Sequence, residues 1–270
     1  MRAVIQVLSI AVLAACVAGC ETVQTTQAGA VGIDRKQSML VSSAEVNQAA
    51  AQEYSKVIAQ AQQQGKLNRN AQEVQRVRAV AQRLVPQTRA FRADAPGWRW
   101  EVNVITDPQL NAWCMPGGKI AVYSGLIEKL NLTDAELAAI MGHEIAHALR
   151  EHGREQISRQ TATGLAVGVA SAALGLGDAG SQLASMVADV TFNLPHSRTD
   201  EIEADRIGVE VAARAGYDPH AAVSVWQKML QNTSGGPPQF LSTHPAPENR
   251  LRDLKVYADR VMPLYQAARQ

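Results

Sequence analysis

Apolar positions recur along most of this chain at helical rather than strand spacing. Residues 21 to about 43 (ETVQTTQAGAVGIDRKQSMLVSS) are the first exception: small, polar and without clear periodicity, they predict a flexible tether. Residues 44–64 are strong helix formers, ended by Gly65. From Asn70 to about Thr88, Val74, Val77, Ala81, Leu84 and Val85 return on one helical face. The period drops to two at 98–106 (WRWEVNVIT), where Trp98, Trp100, Val102 and Val104 alternate with polar partners, the pattern of a half-buried strand. The stretch 111–127 (NAWCMPGGKIAVYSGLI) predicts a short strand, a PGG turn, a second strand over KIAVY and the start of a short helix. These segments make a small, mainly antiparallel sheet of about three strands.

The next helix opens at Thr133, where Glu136 three residues on completes a capping-box spacing, and it runs to about His152 with Gly153 as its C-terminal cap. Residues 161–190 are rich in Gly, Ala and Ser and predict a closely packed helix pair with a mobile turn near Gly175 to Gly180. Asp178 and the glycines interrupt the apolar run, so it does not read as a membrane span. Further helices are expected over 198–215, 219–232 and 246–260, with a turn at Gly235 to Pro238. The fold class is therefore α+β, mostly helical, with a small sheet beside the 133–152 helix. An aromatic content of 4% agrees with helices rather than a β-sandwich.

With 26 basic and 25 acidic residues the chain has no electrostatic footprint for a nucleic-acid partner. Its 270 residues suffice for one domain with a full core or two small ones. Met1-Arg2 and the apolar run from Ala3 to Ala15 form a targeting segment too short to span a bilayer comfortably. It meets LAAC (13–16) and VAGC (17–20), both of which look like bacterial lipoprotein cleavage boxes. Gly19 and the longer apolar core favour Cys20 over Cys16 as the lipidated residue. The expected division is a signal peptide over 1–19, a tether over 20–43 and a folded domain over 44–270. Cleavage leaves Cys114 as the single free thiol, so no internal disulfide is expected. The lipid would hold the protein to a periplasmic membrane face, and Glu21 rather than Asp favours the outer membrane.

The chemistry gathers in HEIAHALREHG, residues 143–153. On a helix, His143 and His147 lie about 40° apart around the axis and about 6 Å apart along it, so both imidazoles can reach one ion. Glu144 falls about 60° from His147, beside the ion, where a base can take a proton from a water the metal polarises. HExxH alone arises by chance in roughly one per cent of chains this long, so a third ligand is needed. RTDEIEADRIG (198–208) offers one: Glu201 can ligate, and Asp205, four residues on, can fix the tautomer of a ligand histidine. Glu203 points to another face.

HEIAH followed about 55 residues later by EIEAD resembles the HtpX and CAAX-prenyl-protease type of zinc metallopeptidase, metallopeptidase family 48. NAWCMPGGKIAVYSGLI, the SR ahead of Glu201 and STHPAPENRL (242–251) carry the same resemblance, which spans about 45–260. It implies a compact gluzincin domain holding one Zn2+ through His143, His147 and Glu201. Glu144 would be the general base and Asp205 the supporting acid. Without transmembrane helices, the chain is similar to the soluble lipoprotein branch, whose members act in the periplasm on envelope proteins.

The remaining positions are less decided. His152 falls on the opposite helical face and reads as a surface or cap residue, and His220 as exposed. His196 reads as structural, with a place in the cleft as the alternative. His244, in a T-H-P loop with Arg250 six residues on, has three open roles: stabilising an oxyanion, capping the open zinc position as a latch, or anchoring its loop. Asn111, Ala112 and Trp113 are expected on a strand edging the cleft, where an extended peptide could add by main-chain hydrogen bonds; a core strand with Trp113 as packing is the compatible alternative. The leading expectation is a zinc endopeptidase acting on unfolded or misassembled envelope proteins. A zinc-containing chaperone or assembly factor is the alternative.

Overall fold

The computed structural model describes residues 21–168, 179–232, 238–245 and 249–270. The signal-like segment with Cys16 and Cys20, most of the turn expected near Gly175 to Gly180, and most of the Gly235–Pro238 turn lie outside those residues.

Two short strands, β1 (Glu21–Val23) and β2 (Gln37–Met39), pair antiparallel. Helices α1 (Ser43–Gln63) and α2 (Ala71–Leu84) follow, and then 3-10 turns lead into β3 (Glu101–Ile105), β4 (Ala112–Met115) and β5 (Lys119–Tyr123). A short α3 (Ser124–Lys129) leads into α4 (Asp134–Leu149), α5 (His152–Gly168), α6 (Ala179–Phe192) and α7 (Arg198–Arg214). The chain ends with α8 (Ala221–Gln231), α9 (Gln239–Thr243) and α10 (Arg250–Ala268).

The second sheet has the order β3-β5-β4. β5 pairs antiparallel with β4 (Ala112 opposite Val122, Met115 opposite Lys119) and parallel with β3 (Glu101 opposite Lys119, Ile105 opposite Tyr123). The sheet is thus mixed, because the chain places β5 inside and sends β4 to the edge. β4 packs on α4, so the sheet lies against the helix that carries His143, Glu144 and His147.

Residues 21–42 depart from the flexible tether expected of them. They fold onto the domain, burying Val31, Ile33, Gln37 and Met39. The Arg35 guanidinium contacts Glu155 at 2.7 Å, and the Gln37 amide donates to the Arg150 carbonyl at 2.8 Å. Three scattered apolar side chains leave no periodic signal, and the rest of the attachment is ionic, so polarity here marks a buried charge network rather than solvation.

Two helices, α4 and α7, carry the motif residues, and local chemistry fixes where each begins. Thr133 accepts from the Glu136 N–H at 3.2 Å while Glu136 accepts from the Thr133 N–H at 2.8 Å. Ser197 and Asp200 repeat the arrangement at α7, both bonds at 3.2 Å. The two helices make the most extensive helix–helix contact among the described residues. They touch through glycine: a Cβ on Gly208 would lie 2.6 Å from the His143 nitrogen, and one on Gly142 would lie 2.8 Å from the Gly208 carbonyl oxygen. Only hydrogen fits at either place.

Two outcomes follow from this packing. Gly208→Ala should lower stability by about 1–3 kcal/mol despite the better helix propensity of alanine. Thermal unfolding checks this, and an unchanged Tm would mean that the helices part without cost. Burial raises the Glu155 carboxyl, but hydrogen bonds from Arg35 and Gln37 outweigh it and hold Glu155 below the usual carboxylate range. Its stabilisation is therefore complete above about pH 4.3 and lost as pH falls through the lowered value. Arg35→Gln should flatten this part of the acid-unfolding curve.

Candidate metal centre

α4 presents His143 and His147 on one face, α7 brings Glu201 opposite them, and the turn after α9 adds His244. Donor atoms from all four residues lie within 4.8 Å of one another, and all four side chains are buried. His143 Nε2 is 3.1 Å from His147 Nε2, 3.2 Å from His244 Nδ1 and 3.6 Å from Glu201 Oε2. Glu201 Oε1 is 3.3 Å from His147 Nε2 and 3.0 Å from His244 Nδ1. A tetrahedron with metal bonds of about 2.0–2.1 Å has edges of about 3.3–3.4 Å, so these spacings fit a single four-coordinate ion.

The electrostatics favour a cation. Burial pushes the His143 and His147 imidazoles down, which keeps them neutral and their lone pairs available. Burial alone would raise Glu201, but His244 and His147 outweigh it and keep the carboxylate ionised well below its ordinary range. Arg250 Nη1 donates to Glu201 Oε2 at 2.9 Å, and Arg250 Nη2 donates to Asp205 Oδ1 at 2.6 Å. Arg250 thus braces the two acids of α7 rather than facing the cleft. Asp205 Oδ1 is 2.9 Å from His143 Nδ1, close enough for charge to orient the ring although the N–H does not point along the contact. Burial pushes the Asp205 carboxyl up to about 6 against the pull of Arg250.

Glu144 is buried beside the donors, with Oε1 3.4 Å from His244 Nε2. Burial pushes its carboxyl up, opposed by His244 and His147. The hollow next to it is lined by Trp113, Cys114, Pro116, His147, His196 and His244 and holds about 40 Å³, room for a water but not for a peptide. A larger hollow of about 570 Å³ between α2 and β3, near Arg78 and Trp100, contains none of these groups. Ala112 and Trp113 are on β4, an edge strand, with Asn111 just before it; all three side chains are buried, and Trp113 reaches the cleft.

His152 corrects the expectation of a surface residue. It is fully buried, with Nδ1 2.9 Å from His147 Nδ1 and Nε2 3.1 Å from Glu203 Oε2. The helical angle misplaced it because α4 ends at Leu149 and Glu151 takes a left-handed conformation (φ 52°), which turns the chain back. Gly153 accordingly lies inside α5 and does not cap α4. Glu203 also turns inward to this network. His196 sits in the cleft with its ring 4.1 Å from that of His147, and His220 pairs with Asp259 at the surface.

A helix presenting HExxH, a glutamate from a second helix and a sheet alongside define a metallopeptidase domain of gluzincin type. The chain belongs to peptidase family M48, whose model matches residues 71–258. It is 36% identical over 161 residues to the mitochondrial metalloendopeptidase OMA1 of Schizosaccharomyces pombe, covering 59% of this chain and 47% of that protein. It is 34% identical over 185 residues to the mitochondrial metalloendopeptidase OMA1 of Homo sapiens, covering 63% and 34%. With the beta-barrel assembly-enhancing protease of Escherichia coli it shares 31% identity over 170 residues, 60% and 35%. The matched region thus spans half or less of these relatives.

His244 fills the place of a fourth donor, where a substrate carbonyl would need to approach. His244→Ala should raise peptide hydrolysis several-fold or more. A fall instead would give the ring an oxyanion role.

Proposed function

We propose that this chain is a zinc metalloendopeptidase, tethered by a lipid on Cys20 to the periplasmic face of a bacterial membrane, the outer one in particular, where it cleaves unfolded or misassembled envelope proteins. The observation that carries this reading is the buried His143–His147–Glu201 donor set with the Glu144 carboxylate alongside. Two neutral imidazoles and one carboxylate are the donor chemistry that zinc takes in hydrolytic sites. Zinc supplies Lewis acidity, which acidifies water and polarises a carbonyl.

The protein's own groups do the rest. Glu144 accepts the proton at its carboxylate and delivers it to the departing amine. Asp205 orients His143, and Arg250 keeps Glu201 and Asp205 in place. β4 is an edge strand whose residues are buried, so an extended peptide would add to it by main-chain hydrogen bonds, a mode that reads backbone and suits unfolded chains, only once its cover opens. The names of the relatives support endopeptidase chemistry and, for the beta-barrel assembly-enhancing protease, a part in β-barrel assembly. No helix among the described residues is long and apolar enough to cross a membrane.

The narrow cleft favours a second reading, a zinc-containing assembly factor whose proteolysis is latent. One comparison separates the two. Purified zinc-loaded protein should cleave casein, and Glu144→Gln should retain zinc but lose roughly 10²-fold or more in rate. Zinc bound with no cleavage by either the wild-type protein or His244→Ala would leave the assembly-factor reading standing.

A further inference from the structure

Each α4 histidine turns its Nδ1 away from the donor cluster. For His143 that nitrogen meets Asp205. For His147 it meets no acid directly; it lies 2.9 Å from His152 Nδ1, and His152 Nε2 lies 3.1 Å from Glu203 Oε2. Neutral rings admit a single arrangement of protons here once the His147 Nε2 lone pair faces the cluster. The His147 proton must sit on Nδ1 and be donated to His152 Nδ1. The His152 proton must then sit on Nε2 and be donated to Glu203. The far end of the chain is fixed: Glu203 accepts from Arg150 Nε at 2.8 Å and from Arg35 Nε at 2.6 Å. Arg35 also forks onto Glu155 at 2.7 and 2.9 Å, and Arg150 Nη2 donates to the Arg35 carbonyl at 2.9 Å.

We propose that His152 and Glu203 are positioning residues for the metal ligand His147, and that Arg35, from the segment ahead of α1, is the clamp that holds them. The His152–Glu203 pair fixes both the tautomer and the ring angle of His147, whereas Asp205 acts on the His143 ring through charge alone. The donor cluster then has two supports that share α7. One runs through Asp205 to Arg250 of α10, and the other passes from α4 through His152 of α5 and Glu203 of α7 to the amino-terminal segment. Partners of this kind commonly matter to metal affinity by 10- to 100-fold. This inference rests on the metal site proposed above.

The test measures zinc affinity of the full-length protein by chelator competition, together with the rise in Tm on adding zinc. His152→Ala should weaken zinc binding about 10- to 100-fold. His152→Asn, whose side-chain oxygen can accept from His147 Nδ1, should recover most of the loss. Arg35→Ala, remote from the donors, should weaken zinc several-fold. A purely structural role would lower Tm with and without zinc alike and leave the zinc-induced rise unchanged. Zinc affinity within twofold of wild type in His152→Ala and Arg35→Ala would overturn the inference. If His152→Ala does not fold, His152→Asn and Arg35→Ala decide it: a zinc-induced rise reduced for Arg35→Ala supports the clamp, and an unchanged rise in both overturns it. Wild-type protein that binds no zinc would overturn the metal site itself and the inference with it.

Discussion

The backbone contact between Gly142 and Gly208 sets the position of everything in the centre. Gly142 immediately precedes His143, and Gly208 lies two helical turns beyond Glu201 on the other helix. Because no side chain stands between the two backbones, α4 and α7 approach closely enough for imidazoles from one and a carboxylate from the other to converge. A wider crossing would separate the donors by more than metal bonds can span. The capping boxes at Thr133 and Ser197 fix the starts of the two helices, so the register of the contact is defined locally before the helices meet.

This close packing brings many charges indoors. Glu144, Arg150, Glu201, Glu203, Asp205 and Arg250 are all buried. Burying each of them alone would be costly, and pairing offsets that cost without turning the network into a large source of stability. What it provides is geometry: each acid has a specific arginine or histidine, so the donors have few alternative arrangements. Arg250 is also stacked on Trp226, 3.3 Å from its ring centroid, and so has a fixed platform from which to hold Glu201 and Asp205.

Much of this was legible in the chain. HExxH and E-x-x-A-D work through helical spacing, a local property, and the caps that start those helices are local too. Helical spacing places His143 with His147 and Glu201 with Asp205, while the meeting of the two pairs at one ion was implied by the resemblance to metallopeptidase family 48. His152 could not be placed this way, because one left-handed residue at Glu151 breaks the periodicity on which the angle depended. Arg35 and Gln37 were hidden for a different reason. Polar composition is read as solvation unless the partners are known, and those partners, Glu155, Glu203 and the Arg150 carbonyl, are more than a hundred residues away. The parallel pairing of β3 with β5 is likewise a matter of which strand lies inside, which alternating patterns do not record.

The folding of residues 21–42 onto the body changes what an anchor at Cys20 would mean mechanically. A twenty-residue flexible leash would let the enzyme roam a shell of solvent above the bilayer. Here β1 begins at Glu21, the next residue, and is already paired with β2, which packs on α5. A lipid on Cys20 would leave the domain almost no slack, and its cleft would ride at a nearly constant height over the membrane. Encounter would then become a search along a surface, selecting polypeptides by how close to the membrane they linger as much as by their sequence.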